Sequence, residues 1–234
     1  VRAMRKRFLS LALALVLTLS LVPVTALAAA PARYDDVAGH WAEHSIQRWS
    51  GYHIVEGADG HFMPDQPLTR AAMAKILANT LGLADPGTEN PFSDVPGDAW
   101  YAPYILCCHA AGILQGDGTQ ARPNAPISRQ EAMVMLCRAL SVAEVEQADL
   151  GAYGDATEVA SWARGSVAAM TGAGMVNGVG GNKLAPTAQI DRASILAILD
   201  RAVVQYINAP GQYDLTGQAG TVLVCAGDVT LKGN

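Results

Sequence analysis

Three stretches of this 234-residue chain follow one plan. YDDVAGHWAEHSIQRWSGYHIVEG from Tyr34, FSDVPGDAWYAPYILCCHAAGILQG from Phe92 and YGDATEVASWARGSVAAMTGAGMVNG from Tyr153 each open on an aromatic residue. An Asp (Asp36, Asp94, Asp155) and a Trp (Trp41, Trp100, Trp162) follow, and a Gly stands sixteen residues after each Trp, at Gly57, Gly116 and Gly178. A second motif closes each unit. FMPDQPLTRAAMAKILANTLGL, ARPNAPISRQEAMVMLCRALSV and LAPTAQIDRASILAILDRAVV share a Pro, an aliphatic residue, a capping side chain and an Arg, which lies 29, 29 and 30 residues after its Trp. Agreement in both halves, in register, means that one supersecondary unit recurs three times.

Periodicity predicts that the unit is helix, Gly-rich loop, helix. Ile46, Trp49 and Tyr52 approximate one helical face, as do Ile105, Cys108 and Ala111, and Val167, Met170 and Ala173. Gly57, Gly116 and Gly178 end this helix, supplying backbone conformations that other residues avoid and, secondarily, room for a ligand. The second helix starts at an N-cap residue, Thr69, Ser128 or Asp191, and only Ser128 has the Glu three residues on, Glu131, that completes a capping box. Its buried face reads Met73, Ile76, Leu77, Leu81; then Met133, Leu136, Cys137, Leu140; then Ile195, Ile198, Leu199, Ala202. One such pair cannot bury its apolar face alone, whereas three can pack against one another. Ala84 to Asn90 and Ala143 to Ala152 read as polar connectors.

Arg2, Arg5, Lys6 and Arg7 precede the uncharged run from Phe8 to Ala32, and Ala26-Leu27-Ala28 suits a cleavage motif, so residues 1–28 read as a secretory signal peptide rather than a membrane anchor. Without them the 16 basic and 21 acidic groups become 12 and 21, a formal charge of −9. That charge argues against nucleic acid or an anionic membrane as the partner. Cys107, Cys108, Cys137 and Cys225 lack metal-ligand spacing and read as small core residues, with a Cys108–Cys137 bridge left open.

The pattern F/Y-x-D-V, W-A, G-I-x-G and T-R-A-E resembles the S-layer homology (SLH) domain in all three units, over residues 33–206. The resemblance implies an all-α fold, three helix-loop-helix repeats in a pseudo-threefold bundle with ligand grooves between repeats, followed here by the start of a β-rich segment. It also implies noncovalent attachment of an exported bacterial protein to secondary cell-wall polysaccharide linked to peptidoglycan, often through a pyruvate ketal. The units then span 33–84, 91–143 and 152–206, with a linker and β-rich start at 207–234. The family's T-R-A-E stands here as T-R-A-A, S-R-Q-E and D-R-A-S, and His53 replaces the Gly found at Gly112 and Gly174. Unequal grooves are therefore expected.

The arginines carry the chemical argument. Arg70, Arg129 and Arg192 fall at the first helical position, where the helix dipole penalises a cation by about 0.3–1 kcal/mol. Free N–H groups at a helix start favour an anion, and a guanidinium adds bidentate donors for a carboxylate such as a pyruvate ketal. The competing role is an ion pair with the Asp of a neighbouring repeat. Trp41, Trp100 and Trp162 either offer an aromatic face to a sugar or sit in the core, and Asp36, Asp94 and Asp155 either bond sugar hydroxyls or cap the following turn.

Nothing points to catalysis, a metal or a cofactor: H-E-x-x-H and G-x-S-x-G are absent, and His40 and His44 lack a third ligand. The tail GTVLVCAGDVTLKGN alternates over Thr221–Cys225 and Val229–Leu231, as a hairpin or the first rungs of a parallel β-solenoid that continues past Asn234. Two functions remain in view, a polysaccharide anchor and an exported hydrolase or lyase, its catalytic β-domain further on, that SLH-like repeats deliver.

Overall fold

The structure, a computed structural model, describes residues 34–84, 87 and 89–233. The signal-peptide segment 1–28 lies outside the described residues. Among the described residues six helices come in three pairs: α1 (Glu43–Gly51) and α2 (Arg70–Leu81), α3 (Ala102–Ala110) and α4 (Arg129–Ala139), α5 (Arg164–Gly172) and α6 (Arg192–Ala202). Short 3-10 turns at Ala156–Glu158 and Ser161–Ala163 precede α5.

The second helix of each repeat packs on the first helix of the next. α2 meets α3, α4 meets α5, and α6 returns to α1. Met73, Leu77, Met133, Leu136, Ile195 and Leu199 are all buried, with Ile46, Trp49, Ile105, Cys108, Val167 and Met170 opposite them. Ala111 and Ala173, expected on the first-helix face, are exposed because α3 and α5 end before them. Arg48 of α1 locks the last contact, its Nη1 lying 2.6 Å from Asp200 Oδ1 of α6.

The segments just before α2, α4 and α6 form a closed ring of backbone bonds. Leu68 N–H donates to Ile190 O (2.9 Å), Ile190 N–H to Ile127 O (3.1 Å), and Ile127 N–H to Leu68 O (2.9 Å). All three side chains are buried at its centre. Each aliphatic residue that precedes a cap in the sequence is thus both a backbone rung and a core side chain.

Four short strands follow α6 directly: β1 (Val203–Ile207), β2 (Gly211–Asp214), β3 (Thr221–Val224) and β4 (Val229–Lys232). Pairing is parallel, β1 with β3 and β2 with β4, so the hairpin alternative is not formed. The first strand begins at Val203, inside the stretch expected to finish the third repeat, and β2 lies in the stretch expected to be linker. Tyr206 ties this segment to the bundle, its ring 5.6 Å from Trp49 and 4.8 Å from Tyr52. Cys108 and Cys137 are both free and make no bridge; their thiols contact the carbonyls of Ala74 and Val142.

Candidate functional site

Each aspartate holds a tight loop from behind. Asp36 accepts the N–H groups of Phe62 and Met63 (2.8 and 2.7 Å), Asp94 those of Ala121 and Arg122 (2.8 and 2.7 Å), and Asp155 those of Leu184 and Ala185 (2.9 and 2.8 Å). The second residue of each pair, Met63, Arg122 or Ala185, has positive φ, and the carboxylate offsets that strain. Desolvation opposes the charge on Asp36 and Asp155, but the two backbone donors outweigh it and hold both carboxyls below the usual carboxylate range.

The arginine grips the same loop residue from the other side, across a repeat boundary. Arg70 Nε donates to Ala121 O (2.8 Å), Arg129 Nε to Leu184 O (2.9 Å) and Arg192 Nε to Phe62 O (3.0 Å). The first repeat thus reaches the second, the second the third, and the third the first. The Arg–Asp ion pair is not made by any of the three among the described residues; a shared peptide stands between the two charges.

The helix N-termini differ from the expectation. The first two N–H groups of each second helix donate to the neighbouring repeat: Arg70 and Ala71 to Ala125 O and Pro123 O, Arg129 and Gln130 to Ala188 O and Pro186 O, Arg192 and Ala193 to Gln66 O and Pro64 O. The third N–H goes to Thr69, Ser128 or Asp191. No free donors remain in this first turn to hold an anion, so a ligand's charge would meet guanidinium alone.

Gly57, Gly116 and Gly178 differ too. None has positive φ; what they supply is space. A Cβ at Gly178 would sit 2.5 Å from Lys183 O and 3.4 Å from the Tyr153 ring, and at Gly57 and Gly116 it would collide with His61 O and Tyr34, and with Phe92 and Gln120 O. The aromatic residue that opens each repeat therefore lies against the Gly that ends its first half.

The tryptophans stand just before α1, α3 and α5, outside the helical faces, which is why the core alternative fails. Trp41 is 63% exposed, Trp100 58% and Trp162 55%, whereas Trp49 is buried. Each exposed ring borders a groove with an arginine and a loop from the two other repeats. One groove, about 180 Å³, brings Trp162 to Arg70 and Gly116. The second, about 300 Å³, brings Trp100 to Arg192 and Glu56, with Gly57 adjacent in sequence. The third, also about 300 Å³, brings Trp41 to Arg129 and Gly178. The aspartates line none of these three.

Burial pulls all three arginine pKa values down from the ordinary guanidinium range, the attraction of nearby carboxylates, and at Arg192 of Tyr34 ahead of Asp36, compensating only in part. Arg70 also pairs with Glu131 at 3.0 Å, which at the same time accepts Ser128 N–H and Oγ–H. Glu131 is thus cap and counter-ion together. Arg138, Arg201 and Lys75 line the grooves as well and were missed by motif reading. Arg138 and Arg201 stand at the same offset after Arg129 and Arg192, a signal that the alignment of repeats contained.

The S-layer homology domain pattern matches residues 33–74, 91–133 and 152–195, more than half of the chain. The chain belongs to the S-layer homology domain family. Its SLH repeats are similar to part of an amylopullulanase from Thermoanaerobacterium thermosulfurigenes, 34% identical over 71% of this chain and 9% of the relative. They also resemble the surface-layer 125 kDa protein of Lysinibacillus sphaericus, 31% identical over 85% of this chain and 17% of the relative. The S-layer protein of Bacillus licheniformis is 30% identical over 90% of this chain and 26% of the relative. The chain therefore spans between 9% and 26% of the length of these relatives. No helix among the described residues is long and apolar enough to cross a membrane, and no cluster of three or more His, Cys, Asp or Glu there could hold a metal ion.

Proposed function

We propose that the three SLH repeats form a pseudo-threefold anchor that attaches an exported protein noncovalently to secondary cell-wall polysaccharide at the cell surface. One observation carries this reading: in each of three grooves an exposed Trp meets an Arg from a different repeat, buried at Arg70 and Arg129 and half-buried at Arg192. A ring stacks against a sugar face, and a guanidinium at the groove wall takes an acidic substituent, for which a pyruvate ketal has the right charge and planarity. The aspartates and glycines act behind the surface by fixing the loops that shape it. Weak contacts at several grooves on one polymer would add through avidity. Similarity to S-layer proteins supports a surface location.

A second reading is favoured by the match to an amylopullulanase: the same anchor delivers an enzyme encoded elsewhere in a longer chain. The anchoring role is common to both. Cosedimentation with purified walls, before and after the polysaccharide is stripped, tests it. Binding should disappear with the polysaccharide, and equal binding to stripped walls would sink the reading. Trp41→Ala, at a 63% exposed position, should weaken binding without altering the melting temperature.

A further inference from the structure

The three grooves are chemically unequal, and the arginines grade them. Arg70 has all three guanidinium nitrogens committed, to Ala121 O, Glu131 Oε1 and Gln115 O. Arg192 has two committed, to Phe62 O and Glu56 O, and its guanidinium lies 4.4 Å from the Phe62 ring. Among the described residues Arg129 commits only Nε, to Leu184 O, while its side chain is as deeply buried as that of Arg70 (7% and 8% exposed). A buried guanidinium cannot shed its charge, so unpaired terminal nitrogens are costly until an acceptor arrives.

The surroundings explain the difference. The position that holds Glu131 beside Arg70 holds Ser194 beside Arg129, and no Asp or Glu lines the Trp41 groove. A second cation does: Arg201, at the end of α6, makes no ion pair or side-chain hydrogen bond among the described residues, whereas of the further cations in the other grooves Arg122 pairs with Asp117 (3.3 Å), Arg138 donates to Ile113 O (3.5 Å) and Lys75 lies over the Tyr104 ring (5.9 Å). Its charge repels that of Arg129, against the larger attraction of Asp191 outside the groove lining. Asn177 borders the same space.

Resting on the glycan-binding reading, we propose that the Trp41–Arg129–Arg201 groove is the principal site and selects a sugar unit bearing two acidic groups, one for each arginine. The Trp162 groove, whose Arg70 is already neutralised by Glu131, is the weakest. Arg129 takes the first anionic group on its two open nitrogens, and Arg201 takes the second near the rim.

The three exposed indoles report the grooves separately, with buried Trp49 as an internal control. The 15N-labelled chain is titrated with a synthetic methyl glycoside bearing one pyruvate ketal, and with the same glycoside carrying a phosphate monoester in addition. The Trp41 indole N–H should shift at the lowest concentration and Trp162 at the highest. Arg201→Ala should weaken the doubly charged probe about tenfold, the factor that one charge-assisted contact contributes, and weaken the singly charged probe far less. Ser194→Glu places at Arg129 the carboxylate that Arg70 already has, at a position where α4 tolerates it, and should abolish the lead of Trp41. Equal titration of all three indoles, Trp162 moving first, or equal loss for both probes with Arg201→Ala overturns this assignment while glycan binding stands. Absence of any indole shift with either probe overturns both.

Discussion

At the scale of the residue, the decisive pairing is an aspartate and an arginine that never touch. Each holds one side of a single peptide: Asp155 accepts Ala185 N–H, and Arg129 donates to Leu184 O. Replacing Asp155 with Asn puts an amide donor where an acceptor is needed. A buried backbone N–H left unpaired costs about 1–3 kcal/mol, so Asp155→Asn should lower the stability measured by urea unfolding by that amount. The pH dependence has a definite sign. The Asp36 and Asp155 carboxyls titrate below their ordinary range when folded, so their contribution is present above the unfolded pKa of about 3.9 and is lost as pH falls through the folded values. Unfolding free energy should be flat from neutrality to about pH 5 and fall below about pH 4, with a shallower acid limb in Asp155→Asn.

At the scale of the element, the loop between the two helices of a repeat shows what glycine is for at two kinds of position. Gly112 and Gly174 have φ of +71° and +69°, and His53 occupies the equivalent place with φ +58°. A side chain there is strained where glycine is not. His53→Gly should stabilise the chain by about 0.5–1 kcal/mol, since relief of the left-handed strain exceeds the added entropy of the unfolded chain. A rise of about 1–4 °C in melting temperature would follow for a chain of this size. Gly178 is the opposite case, an ordinary backbone in a space closed by Lys183 O, so Gly178→Ala should destabilise even though φ permits alanine. Backbone displaced there also moves the wall of the Trp41 groove, and a loss of glycan affinity should accompany the loss of stability.

At the scale of the whole molecule, the boundary between what the sequence reveals and what it hides follows contact range. The caps, the second-helix faces and the recurring arginines were legible because they depend on neighbours within a turn or two. The partners of those arginines were not, because Arg192 reaches Phe62 across 130 residues, and closure of the ring follows from no local spacing. The tryptophans were ambiguous for a related reason: whether Trp41 is core or surface depends on α1 starting at Glu43 rather than at the Trp itself. An open array of helix pairs would lose stability in steps as units are removed. A closed ring behaves otherwise. Ending the chain at residue 143 removes the acceptors of Leu68, Arg129 and Gln130 N–H, which are Ile190 O, Ala188 O and Pro186 O, and strips α6 from α1. That fragment has lost one face of both remaining repeats, so it should show no cooperative urea transition by circular dichroism. A sigmoidal transition with about two-thirds of the full chain's m-value, which scales with the surface exposed on unfolding, would instead mean that the repeats stand as an open array and that the ring is incidental to their stability.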